Sequence, residues 1–176
     1  SMGFPIHSDT NIARNNPANI PINFVQASMI KRIVPESSGL PPKEKYDPEA
    51  IKTWVFPDTI SQGLDFRYYQ YHIVETCLFW NTLVTLPTGL GKTFIAACIM
   101  YNFYRWFPKG KILFLAPTKP LVAQQIEAVQ KMVDIDPNDM AELTGQTKAP
   151  FRAKLYEERR VFFMTPQTLE KDLEKR

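Results

Sequence analysis

The octet Leu86-Pro87-Thr88-Gly89-Leu90-Gly91-Lys92-Thr93 restricts the fold of this chain more than any other stretch. The apolar run Thr82-Leu83-Val84-Thr85-Leu86 leads into it, and Phe94-Ile95-Ala96-Ala97-Cys98-Ile99-Met100 follows it. The first run reads as a strand over 82–86 and the second as the body of a helix over 93–106. The octet is then a strand-to-helix turn. Its glycines, Gly89 and Gly91, let the backbone fold tightly enough for successive N–H groups to face one anion. The helix N-terminus adds positive potential at the same point. Lys92 is placed to reach the outer phosphates of a nucleoside triphosphate, and the Thr93 hydroxyl to ligate Mg²⁺. One residue departs from the general pattern, which has a glycine where Leu86 stands.

The remaining periodicity repeats this strand-to-helix alternation. A helix is predicted over 67–80, with Tyr71, Val74 and Leu78 on one face. A buried strand follows at 111–116, then a helix at 119–133 with Leu121, Ile126, Val129 and Val133 inward. A short strand at 140–144, a helix at 150–158, a strand at 161–164 and a helix at 166–173 complete the series. Alternating elements of these lengths imply parallel βαβ units and a sheet covered by helices on both faces. Residues 1–50 differ: they hold seven of the chain's 15 prolines, with Asn-rich and Ser-Ser-Gly stretches between. They read as an extended or disordered arm, in which only 24–30 could make a short element. Trp54-Val55-Phe56 reads as the point where the arm docks onto the folded part.

Composition narrows the function classes. No apolar run approaches the ~18 residues that a membrane span needs. Cys77 and Cys98 lie in apolar helical stretches without metal-ligand spacing, and read as free thiols, with a disulfide the lesser alternative. His7 and His72 have no plausible catalytic or metal-binding neighbours. The net charge of +3 does not by itself indicate a polyanion partner, although the basic excess falls entirely in residues 105–176.

A parallel sheet places its chemistry beyond the carboxyl ends of its strands. Three such ends carry Pro117-Thr118-Lys119-Pro120, Thr144-Gly145-Gln146-Thr147 and Thr165-Pro166-Gln167-Thr168. Each offers a hydroxyl and free N–H groups at a helix start, suited to a sugar-phosphate backbone. Any one threonine alone would serve equally as a helix cap; their joint placement beside a phosphate-binding turn favours nucleic acid. Upstream, Arg67-Tyr68-Tyr69-Gln70 supplies an amide that can match the acceptor and donor of an adenine edge.

Taken in order, these segments resemble the motifs of superfamily 2 helicases. Arg67-x-Tyr69-Gln70 resembles the Q motif, and Pro87-Thr88-Gly89-Leu90-Gly91-Lys92-Thr93 motif I. Ala116-Pro117-Thr118-Lys119-Pro120-Leu121 resembles motif Ia, Thr144-Gly145 the small motif after it, and Thr165-Pro166-Gln167 motif Ib. The run Met100-Tyr101-Asn102-Phe103-Tyr104-Arg105-Trp106-Phe107-Pro108, with Gln124-Gln125 after motif Ia, is similar to the Fanconi anaemia complementation group M and Hef-type branch. The resemblance covers about residues 54–176.

It implies a RecA-like parallel sheet and a DNA-dependent ATPase that moves on duplex DNA and remodels forks and four-way junctions in the nucleus, with ATP and Mg²⁺ as cofactors and other Fanconi pathway proteins as partners. Arg67 and Gln70 would contact adenine. Pro87, Thr88, Gly89, Leu90, Gly91, Lys92 and Thr93 would bind the phosphates, with Lys92 and Thr93 acting in catalysis and Thr93 on Mg²⁺. Thr118, Lys119, Thr144, Gly145 and Thr165 would touch the DNA backbone. The acidic motif II of such motors, Asp-Glu-x-His, does not occur in this sequence. Residues 51–176 therefore read as the first part of motor domain 1, without motif II or a second motor domain. Two alternatives remain open: an RNA-directed relative of the Dicer or innate-sensor type, and a non-catalytic scaffold module.

Overall fold

The structure, a computed structural model, describes residues 28–30, 46–57 and 65–174. The expected disordered arm over 1–50 therefore lies mostly outside the described residues. Within it, β1 (Ser28–Ile30) is a short strand.

The centre of the molecule is the most completely buried strand. In β5 (Val161–Met164) the four residues Val161, Phe162, Phe163 and Met164 are all buried. It lies between β3 (Ile112–Leu115) and β4 (Met140–Leu143), in the order β3-β5-β4, and both pairings are parallel. The register sets Leu115 and Leu143 on either side of Met164, so the three strands end level. Side chains alternate across the sheet. Val161 and Phe163 join a core with Ala97, Met100, Tyr101, Val122 and Val129. These come from α2 (Lys92–Trp106) and α3 (Lys119–Met132). Phe162 and Met164 face Leu155, Tyr156 and Leu169, from α4 (Ala149–Glu158) and α5 (Pro166–Leu173). Full burial of a side chain such as Phe163 is worth about 1.5–3 kcal/mol.

Two expectations are corrected here. The strand expected at 82–86 is only β2 (Asn81–Leu83), and it pairs antiparallel with β1 instead of joining the parallel sheet. No described strand flanks β3 on its outer edge, so residues 84–86 have no ladder to extend. Helices cover both faces of the sheet as expected, and at its β3 edge Leu113 and Leu115 remain 46% and 43% exposed. In α3, Leu121 is exposed and Val122 is buried in its place. The inward stripe runs Val122, Ile126, Val129 and Val133, at the helical spacing of four, three and four residues.

The docking segment behaves as its composition suggests. Val55 and Phe56 are buried. The Asn102 amide is fully buried, accepts from Val55 N at 2.7 Å and donates to Val55 O at 2.8 Å. Trp106 Nε1 donates to Thr53 O at 2.9 Å. Phe56 packs edge-on against Tyr71 and Phe94. This seats the segment against α2 and α1 (Tyr68–Phe79), the two helices that frame the glycine turn. Cys77 and Cys98 are free, and burial pushes both thiols upward in pKa.

Candidate nucleotide and nucleic-acid site

The turn after β2 has the backbone its glycines permit. Gly89 and Gly91 sit at φ 83° and 84°, in the left-handed region that other residues enter at a cost. Leu90 N donates to Pro87 O at 3.4 Å, and Gly91 O accepts the first helical bond of α2 from Ile95 N at 3.1 Å. Pro87, Thr88 and Gly89 are exposed. Gly91 is the N-cap of α2, and no side chain caps the helix.

Three side chains from the start of α1 and the turn before it support this turn. Gln70, 5% exposed, donates from Nε2 to Leu90 O at 3.1 Å. The Tyr69 hydroxyl donates to the same carbonyl at 2.8 Å. Arg67 Nη1 donates to the Tyr69 hydroxyl at 3.2 Å, and that bond raises the guanidinium pKa above its usual value. A Cβ on Gly91 would lie 2.1 Å from Gln70 Nε2, so a glycine is needed there for space as well as for φ. The Leu90 carbonyl thus takes one of the two protons of the Gln70 amide.

The two residues expected to act on phosphate and cation are held within the chain. Lys92, exposed, donates from Nζ to Leu86 O at 2.9 Å. The Thr93 hydroxyl donates to Gln125 Oε1 at 2.8 Å. A left-handed glycine turn, an uncapped helix N-terminus, one ammonium and one hydroxyl form a donor set that fits a triphosphate carrying a divalent cation. Among the described residues no three His, Cys, Asp or Glu side chains are grouped to hold a metal ion by themselves.

The five candidate backbone-contact residues lie on one edge, because β3, β5 and β4 end level. Thr118 and Lys119 follow β3, Thr165 follows β5, and Thr144 and Gly145 follow β4. Thr118, Lys119 and Gly145 are exposed, and Thr144 and Thr165 half-buried. Thr118 and Thr165 stand at the N-caps of α3 and α5, and neither hydroxyl caps its helix. Thr165 Oγ1 lies 3.1 Å from Thr168 Oγ1, and Thr144 Oγ1 lies 3.4 Å from Thr147 Oγ1.

Sequence reasoning gave no role to the residue that ties this edge together. Arg152 of α4 is 5% exposed. It donates to both carboxylate oxygens of Asp172 on α5 and to the carbonyls of Thr144 and Thr147. One guanidinium thus fixes the 144–147 loop to the helix that starts at Thr165, and Asp172 raises its pKa. Nothing in the local pattern marks Arg152, because it is one of four charged residues on α4, with Lys154, Glu157 and Glu158, and none shows which distant group it will meet. Tyr69 stands in the segment that resembles the Q motif, but the resemblance assigns it no role of its own.

Similarity to known proteins decides the family. A family model described as type III restriction enzyme, res subunit, matches residues 63–176. An Arabidopsis thaliana protein named DEAD-box ATP-dependent RNA helicase FANCM is 56% identical over 128 residues, covering 73% of this chain and 9% of the relative. A Drosophila melanogaster protein named DEAD-box ATP-dependent DNA helicase Fancm is 54% identical over 128 residues, covering 73% of this chain and 8% of the relative. The solved Hef helicase domain of Pyrococcus furiosus aligns with a TM-score of 0.58 at 40% identity, over 62% of this chain and 23% of that structure. The chain belongs to the FANCM and Hef-type helicases.

As in the Hef helicase, the parallel sheet with its flanking helices is the RecA-like fold of superfamily 2, and the glycine turn lies in the region matched by the family model. The chain spans less than a tenth of the length of the two curated FANCM relatives.

Proposed function

We propose that this chain is the ATP- and DNA-binding part of a translocase that remodels branched DNA in repair. The observation that carries the reading is the glycine turn itself. It has left-handed backbone at Gly89 and Gly91, Lys92 and Thr93 opening α2, and Gln70 anchored beneath it at Leu90 O. In this reading Lys92 leaves the Leu86 carbonyl to hold the outer phosphates, and the turn's N–H groups hold the inner ones. Thr93 ligates the cation, and Gln70 with Arg67 selects adenine. ATP with Mg²⁺, when bound, supplies the phosphoryl transfer that drives movement.

Thr118, Lys119, Thr144, Gly145 and Thr165 hold the sugar-phosphate backbone at the level ends of β3, β4 and β5. Hydroxyls and backbone N–H groups fix position without reading sequence, as suits a motor that must move over any sequence. Residues 51–176 are then the first portion of motor domain 1, with the motif II carboxylates and the second motor domain supplied by the longer protein. The nucleus and the other Fanconi pathway proteins follow as its location and partners.

Competition binding on the full-length protein tests this reading. Forked and duplex DNA should displace a labelled DNA fork, and duplex RNA of the same sequence should not. Preferential displacement by RNA would transfer the chain to the RNA-directed reading, since the 2′-hydroxyl is what distinguishes the two polymers at a backbone-reading edge.

A further inference from the structure

We propose that Gln125 is a positioning residue for the divalent cation, acting through the Thr93 hydroxyl. The inference rests on the nucleotide-site reading above and assigns a function to a residue outside the glycine turn. Gln125 is six residues into α3, half-buried, between the inward residues Val122 and Val129. An amide at that flank needs a partner to offset its desolvation. The partner is Thr93, thirty-two positions earlier in the chain, at 2.8 Å.

The chemistry follows from the hydroxyl inventory. A threonine hydroxyl has one proton and two lone pairs. Spending the proton on Gln125 Oε1 fixes the rotor and leaves the lone pairs free for a cation. The same helix begins at Thr118 and Lys119, the proposed backbone contacts after β3. One rigid α-helix thus joins the nucleic-acid edge to the cation ligand, and a shift of α3 on DNA would be felt at Thr93.

The experiment measures binding of a fluorescent ADP analogue to the full-length protein, with Mg²⁺ and with EDTA. Gln125→Leu removes the acceptor at similar size, Gln125→Met does so with an unbranched chain, and Gln125→Glu keeps an acceptor. Circular dichroism melts confirm that each variant is folded. Gln125→Leu and Gln125→Met should each reduce the Mg²⁺-dependent gain in affinity by roughly 3- to 10-fold, the worth of one hydrogen bond. Affinity in EDTA should not change, and Gln125→Glu should stay close to wild type. In a Thr93→Val background, Gln125→Leu should have no further effect, because the hydroxyl it positions is gone.

Equal loss with Mg²⁺ and EDTA would overturn the proposal in favour of a packing role. So would an undiminished effect in the Thr93→Val background, or failure of Gln125→Glu to preserve the gain. Wild-type protein that binds no nucleotide in either condition is a different failure: it removes the nucleotide site, and this inference with it.

Discussion

Gly91→Ala tests the architecture of the turn more sharply than a substitution of any charged group. At φ 84° an alanine costs about 1–2 kcal/mol in backbone strain. Its Cβ would also stand 2.1 Å from Gln70 Nε2 and 3.3 Å from Gln70 Cδ. The amide must then swing off Leu90 O, forfeiting a hydrogen bond worth about 1 kcal/mol. Gly89→Ala is the internal control. It has the same left-handed backbone, φ 83°, and nothing within 4 Å of the added Cβ. We predict a loss of roughly 2–3 kcal/mol for Gly91→Ala against roughly 1–2 kcal/mol for Gly89→Ala. Urea unfolding followed by the fluorescence of Trp54 and Trp106 gives both values. In a Gln70→Ala background the excess at Gly91 should vanish, leaving only the strain shared with Gly89. Equal losses at the two glycines, or an excess at Gly91 that persists without the Gln70 amide, would refute the close approach of α1 to the turn.

Gln70→Ala should weaken ATP by about 1–3 kcal/mol, the cost of losing a paired contact, and GTP by less; equal losses in nucleotide competition would remove the adenine-reading role. Lys119→Ala should weaken DNA binding evenly across sequences and flatten the slope of log affinity against log salt by about one. A sequence-selective loss would contradict a backbone contact. Arg152→Met leaves the Asp172 carboxylate, 12% exposed, without its guanidinium, and should cost about 3–5 kcal/mol of stability in denaturant unfolding. A loss below about 1 kcal/mol would put that pair among surface ion pairs of little consequence.

The sequence made the turn and its flanking helices legible because their signals are local. Glycines at fixed offsets, an apolar run before them and helical periodicity after them act over a few residues each. The placement of the threonine-bearing segments after β3, β4 and β5 was legible for the same reason. Three features were not. The shortness of β2 depends on whether a neighbouring strand exists to pair with residues 84–86, and local pattern does not carry that information. The phase of α3 turned on a choice between Leu121 and Val122, adjacent residues of equal apolarity separated by one helical step. Arg152 and Gln125 gain their roles from partners 20 and 32 positions away, and a polar residue on a helix carries no mark of which distant group it will meet. Asn102, buried to bond Val55 across 47 positions, is a further case.

The ATPase rate of the full-length protein, with and without forked DNA, tests the central claim most directly when wild type is set beside Lys92→Ala. Lys92 is exposed, and among the described residues it bonds only to the Leu86 carbonyl of its own turn, so the variant should fold normally. The account predicts hydrolysis stimulated by forked DNA in the wild type and essentially none in the variant, whose circular dichroism and melting temperature should match wild type. Stimulated hydrolysis that survives Lys92→Ala would show that residues 86–93 do not hold the nucleotide.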